Sequence, residues 1–201
     1  MVDNKTKLSV EALRAGNREE FAKLVDVSSG PIYRLGLKML GIPTDAEDVL
    51  QNTFLKAFQH LKDFEGRSSL STWLYRIASN EALMLLRKNR PEITFNDSAT
   101  EDDDNCDFFP TQFTDWCCLP EEEFLSSESL AALARAVLQL SEIQRVVFVL
   151  RDTEGLSIQE TSDVLNLSEA AVKTRLLRAR LSLREELSMY YGERLEKRSR
   201  E

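Results

Sequence analysis

Between Glu169 and Arg184 this 201-residue chain places five basic residues and one acid. Read at helical spacing, Val172, Leu176, Ala179 and Leu183 make one apolar stripe. Ala170, Lys173, Thr174, Leu177 and Arg178 fall on the opposite side, flanked by Arg175, Arg180 and Arg184. A short cationic helix face dotted with small residues can enter a DNA major groove. Its long cations reach phosphates and guanine edges, and its small residues allow close approach. A solvated amphipathic helix of an all-α domain would show the same spacing.

Covalent chemistry finds little support. His60 is the sole histidine and has no acid–base partner pattern beside it. The cysteines, Cys106, Cys117 and Cys118, lack metal-site spacing and are odd in number, which argues for reduced, incidental thiols. No phosphate-cradling glycine loop or nucleophile–base pair is present, so a nuclease or recombinase is disfavoured. No catalytic residue, metal or cofactor is expected.

The cationic helix needs a support that holds it at an angle to a neighbour. Ser157 with Glu160 three residues later is a capping box opening a preceding helix. Ile158, Thr161 and Leu165 share its apolar face. Asn166 can adopt the left-handed backbone that ends it, and Ser168 can cap the cationic helix. Residues 155–184 thus read as a helix-turn-helix. Two further helices lie upstream: 130–140 with Leu130, Leu133, Ala134, Val137 and Leu138 inward, and one capped by Ser141 with Ile143, Val146, Val147 and Leu150 inward. They complete a domain over 129–188, followed by a charged tail, 189–201, expected to fray.

The first ninety residues also read as helices. Ser9 to Ala15 ends at Gly16, and Asn17 with Glu20 starts another helix. Gly30-Pro31 is expected to break or bend it before 32–40, which Gly41 ends. Thr44 with Glu47 is read as a capping box for the next helix. After the loop 62–69, a long helix turns Trp73, Leu74, Ile77, Ala78, Ala82 and Leu85 inward. It turns Thr72, Tyr75, Arg76, Ser79, Asn80, Leu83 and Arg87 outward, until Pro91 forbids continuation.

The net charge of −8 is not spread evenly. Residues 1–90 carry a net +3 and residues 129–201 a net +1, whereas residues 91–128 hold twelve acids and no base. That composition predicts a disordered or extended linker. Its Phe108, Phe109, Phe113, Trp116 and Leu119 exceed what a spacer needs. They serve either contacts to a partner or to the protein's own domains, or weak local packing. No apolar run reaches membrane-spanning length and the N-terminus lacks a signal-peptide core, so a cytoplasmic protein is expected. The fold class is all-α: two small helical bundles, 1–90 and 129–188, on an acidic flexible linker.

Three ordered segments resemble a known family. DAEDVLQNTFLKAF at 45–58 and FEGRSSLSTWLYRIASN at 64–80 are similar to region two of bacterial sigma factors. GLS at 155–157 through VKTRLLRAR at 172–180 is similar to region four. With only these two regions, the chain resembles the extracytoplasmic-function (group four) members of the sigma-70 family. That resemblance implies a transcription initiation factor that binds core RNA polymerase and directs it to promoters. Asp45, Asp48, Gln51, Phe54 and Leu55 would meet the polymerase β′ clamp helices, although Asp45 and Asp48 also suit a helix N-terminus. Phe64, Arg67, Ser68, Ser69, Tyr75, Arg76, Asn80 and Arg87 would melt and read the minus-ten element. Phe64 would wall a flipped-base pocket and Asn80 would bond the base edge. Trp73, on the inward stripe, reads as core. Ser168, Lys173, Thr174, Arg175, Leu177 and Arg178 would read the minus-thirty-five duplex. Arg180 is either a further phosphate contact or part of the domain's own ion pairs.

The family also implies a contact to the polymerase β subunit and an anti-sigma factor, without membrane insertion. Departures from its pattern are Thr161 and Ser162, where Ile and Ala are usual, and Asn166, where Gly is frequent. The rival reading is a helix-turn-helix regulator that binds duplex operators without polymerase. It leaves 45–80 unexplained.

Overall fold

Helix start and stop signals set most of the boundaries. The computed structural model describes residues 8–66, 68–88 and 127–198, with side chains in the last stretch described for 128–190. All regular structure among these residues is helical. α1 spans Val10–Arg14 and α2 Arg18–Leu40. α3 spans Pro43–His60, with a 3-10 turn Leu61–Asp63 after it, and α4 spans Leu70–Lys88. α5 is Ser127–Gln139. α6 is Glu142–Phe148, widening into a π-helical turn at Val149–Thr153. α7 is Ile158–Leu165 and α8 is Glu169–Arg198.

The caps explain the ends. Asn17 accepts hydrogen bonds from the backbone N–H groups of Glu19 and Glu20 at the start of α2. The Glu20 carboxylate turns instead to the N–H of Ser9, 2.7 Å away, and ties α1 to α2. Gly41 ends α2 in the left-handed conformation, φ +74°. Ser157 and Glu160 form the reciprocal capping box of α7, and Asn166 ends it at φ 54°, ψ 46°. Ser168 accepts from the N–H of Ala171 in the first turn of α8.

Several expectations need correction. Pro31 does not break α2, which is one continuous helix. Leu24 before the proline and Ile32, Leu35 and Met39 after it are all buried, so packing on both sides outweighs the lost backbone bond. α3 is not opened by a Thr44–Glu47 box. It starts at Pro43, whose missing N–H falls where no intrahelical partner exists anyway. α5 turns Ser129, Ala132, Ala136 and Val137 inward, with Leu140 buried just past its end, and leaves Leu130, Leu133, Ala134 and Leu138 exposed. Those leucines, with Leu37 and Phe148, line an open groove of about 500 Å³. Leu138 also lies close over the end of α2, where a side chain on Gly41 would come within 2.8 Å of it. Nor does the last element fray at 189, because α8 remains helical to Arg198. Apart from Gly192, residues 189–198 are compatible with helix, and straight-chain Glu, Lys, Arg and Leu dominate its end. The linker's aromatic residues and cysteines, and Arg67, lie outside the described residues.

The two helical groups pack into one body. A single apolar cluster joins Leu35, Met39, Leu74 and Ala78 of the first to Val137, Leu140, Val146 and Leu150 of the second. α7 lies against α4, and α5 and α6 lie against α2. Arg145, buried, bridges the groups at their helix ends. It donates to the carbonyl of Met39 at 2.6 Å and to those of Leu138 and Leu140, the last at 3.0 Å.

Removing the α7 cap with Ser157→Ala should cost about 1 kcal/mol in urea unfolding. The Ser157 N–H, then its hydroxyl, hold the Glu160 carboxyl below the ordinary carboxylate value. The contribution of Glu160 is therefore present at neutral pH and lost as pH falls through that depressed value. Glu160→Gln should flatten the acid limb of the stability–pH curve, and the double variant should lose less than the two singles combined.

Candidate nucleic-acid and polymerase interface

The outer face of α8 is built as its spacing requires. Val172, Leu176, Ala179 and Leu183 are buried. Lys173 and Leu177 are exposed, Leu177 at 58%, with Thr174 and Arg178 half-buried beside them. Ser168 and Ala170 are exposed at the open end of the helix. Arg180 belongs to the fold: its guanidinium grips Asp152 through two hydrogen bonds of 2.8 and 2.7 Å. Arg175 is half-buried, and its Nη1 has no hydrogen-bond partner among the described residues.

On α3, Asp48, Gln51 and Leu55 are exposed and lie three and four residues apart, hence on one face. Leu55 is 57% exposed. Asp45 is half-buried in the first turn. Phe54 turns partly inward, edge-on to Phe21 at 6.4 Å.

The loop before α4 and its outward row are divided. Phe64 is buried and tilts over Trp73 with ring centroids 5.2 Å apart, so Trp73 supports Phe64 from the inward side. Ser69 accepts from the N–H of Thr72 and bonds the hydroxyls of Ser71 and Thr72. Ser68 is half-buried beside it. Asn80 and Arg87 are exposed. Thr72, Tyr75 and Ser79, expected outward, are buried, a correction whose cause is that both α2 and α7 pack on α4. The Tyr75 hydroxyl donates to Glu154 at 3.0 Å, and burial foremost pushes its pKa up. Arg76, though exposed, donates to the carbonyl of Asp163.

The family profile "Sigma-70 region 2" matches residues 24–92, and "Sigma-70, region 4" matches residues 130–183. The chain is 32% identical to the ECF RNA polymerase sigma factor SigW of Bacillus subtilis, covering 90% of this chain and 96% of that one. It is 32% identical to the ECF RNA polymerase sigma-E factor of Haemophilus influenzae, over 85% and 89%. This chain belongs to the extracytoplasmic-function sigma factors. Membership carries the biochemical class with it, a promoter-directing subunit of RNA polymerase. Among solved structures, CnrH in complex with the cytosolic domain of CnrY shares 29% identity at a TM-score of 0.60, covering 87% of this chain and 91% of that one. RpoE in complex with the anti-sigma factor NepR, from Bartonella quintana, has a TM-score of 0.63 at 24% identity over 84% and 97%, a likeness of fold. No helix among the described residues is long and apolar enough to cross a membrane.

The sigma factor also has polar residues that sequence reasoning passed over. Glu154, whose side chain is 4% exposed, sits among Tyr75, Lys38 and Arg34. Arg145 is a lone cation in an otherwise apolar run. The i, i+4 spacing of Arg34 and Lys38 was a visible sign of a shared cationic face. Nothing local marked the carboxylate that meets it.

Arg180→Ala should lower unfolding stability by about 0.2–1 kcal/mol, the range for a solvent-screened pair, and leave promoter selectivity intact. Thermal unfolding beside footprinting of the reconstituted holoenzyme checks this. A uniform loss of promoter affinity without a stability loss would restore Arg180 as a phosphate contact.

Proposed function

We propose that this sigma factor divides promoter recognition between its two helical groups, with boundaries near 1–90, 91–128, 129–188 and 189–201. The observation that carries the reading is the outer face of α8, where Lys173, Thr174, Leu177 and Arg178 stand opposite a fully buried stripe. Such a face suits base and phosphate contacts in the major groove of the minus-thirty-five element, with Ser168 and Arg175 on the backbone. The exposed row Asp48, Gln51 and Leu55, with Asp45 and Phe54 at its margin, suits a helix of core polymerase. Asn80 and Arg87 are available to an opened minus-ten strand. Phe64, Arg67, Ser68 and Ser69 make up the adjoining loop, and Tyr75 and Arg76 join the set once α7 leaves α4.

The partners are thus core polymerase, through β′ and β, and promoter DNA. An anti-sigma factor is a third, and both matched structures hold a partner protein. An operator-binding regulator is not favoured, since the region 2 profile spans residues 24–92. No catalytic step is assigned to the chain.

Run-off transcription with core polymerase on a genomic promoter library tests the reading. Wild-type protein should initiate at a discrete promoter class. Arg178→Ala should lose about 1–3 kcal/mol at one minus-thirty-five position and relax selectivity there. Asn80→Ala should weaken strand opening while closed-complex binding persists. Initiation unchanged by both substitutions would overturn the residue assignment, and no initiation by wild type would overturn the function.

A further inference from the structure

Two cations and a phenol on the first helical group converge on one buried carboxylate of the second. Arg34 and Lys38 stand one turn apart on α2, and Tyr75 comes from α4, which packs against it. Glu154 Oε2 accepts from the Tyr75 hydroxyl at 3.0 Å and lies 3.8 Å from Arg34 Nη2. Glu154 Oε1 lies 3.4 Å from Lys38 Nζ. The carboxylate is 4% exposed, whereas the Arg34 and Lys38 side chains remain 56% and 34% exposed. Hence the two cations stay at a surface of the first group, Tyr75 is covered beside them, and the acceptor is the guest.

We propose that Arg34, Lys38 and Tyr75 form a binding site for a backbone phosphate of the opened promoter strand, and that Glu154 occupies it while the two helical groups are closed. The assignment of Tyr75 and Arg76 to the minus-ten strand is the reading on which this rests.

The chemistry of the guest and of the ligand is alike. A carboxylate and a phosphodiester each offer two unprotonated oxygens sharing one negative charge, and a planar guanidinium with an ammonium and a hydroxyl serves either. The Tyr75 phenol is a donor in either state, since burial and the Glu154 charge push its pKa up here and an ordinary phenol is protonated at neutral pH. One residue along α4, Arg76 is engaged in the same way by a main-chain oxygen, that of Asp163. Two adjacent donors of the proposed strand-binding row therefore both meet acceptors of the second group. Removing Glu154 leaves two cations with a vacant oxyanion position, and a strand that fills it releases counterions.

The test uses the full chain and a fluorescein-labelled single-stranded oligonucleotide carrying the selected minus-ten sequence, followed by anisotropy across a salt series. Glu154→Gln, near-isosteric and checked for folding by circular dichroism, should bind this strand about tenfold tighter than wild type, equivalent to ~1.4 kcal/mol. Adding Arg34→Gln and Lys38→Gln should abolish the gain and reduce the salt slope by about 0.7, the share of one phosphate on a single strand. A gain that survives both added substitutions, or no gain with a folded Glu154→Gln protein, overturns the proposal. Millimolar inorganic phosphate at matched ionic strength should compete only weakly. Full competition would assign the site to the free anion and overturn the strand assignment. As a second variant, Arg34→Gln alone, in holoenzyme, should lower the salt tolerance of open complexes, and unchanged tolerance counts against the site. Wild-type run-off transcription separates the two levels: initiation without the Glu154 effects sinks only this inference, and no initiation sinks the reading beneath it.

Discussion

One buried guanidinium holds the two halves of this molecule at their helix ends. Among the described residues Arg145 has only main-chain oxygens as acceptors, from the C-terminal turn of α2 and from the end of α5. A helix C-terminus leaves carbonyls unsatisfied and carries partial negative charge, so one cation placed between two such ends satisfies both. Burial pushes the Arg145 pKa down, with Glu142 opposing it, yet a guanidinium stays charged under any folding condition. The apolar cluster shared by the two groups can form only with these ends in register. Gly41 leaves room for the Leu138 side chain at the end of α2, beside the carbonyls that one guanidinium reaches.

The closed packing is not uniformly good. It covers Thr72, Tyr75 and Ser79 on α4, and Ser79 Oγ is buried with no hydrogen-bond partner among the described residues. An unsatisfied buried hydroxyl costs about 1–3 kcal/mol. Leucines of α5 remain in an open groove while alanines face the body. Such an interface closes a protein without locking it, because a partner that binds the separated groups need supply only the difference in free energy between the two states.

Local chemistry was legible in the chain. The capping box at Ser157–Glu160, the left-handed Asn166 and the buried stripe of α8 depend on residues within a few positions, and each stands where its spacing put it. The all-α class and the family followed from those same signals. Long-range geometry was not legible. The spacing of Leu130, Leu133, Val137 and Leu138 reveals an apolar side of α5, but not that α2 would pack against its neighbouring small side. Pro31 reads as a break to any local rule, and only packing on both sides of it says otherwise. Glu154 and Tyr75 lie 79 positions apart in sequence, so neither announces the other.

Promoter geometry then sets what the closed body can do. The minus-ten and minus-thirty-five elements are centred roughly 25 base pairs apart, about 85 Å along a duplex at 3.4 Å per base pair. In the closed body α7, one turn from the recognition helix, touches α4, so both elements cannot be engaged at once. The 38 residues from 89 to 126 reach at most about 130 Å if fully extended, so the covalent connection permits the separation that the contacts forbid. The two DNA-facing surfaces differ in consequence. The outer face of α8 is presented in the closed form, as are Asn80 and Arg87 on α4, whereas Tyr75 is covered and Arg76 is engaged there. Under the proposed assignment, duplex reading tolerates closure, and full strand capture calls for the parting of Glu154 from Arg34, Lys38 and Tyr75 together with Arg145 from Met39.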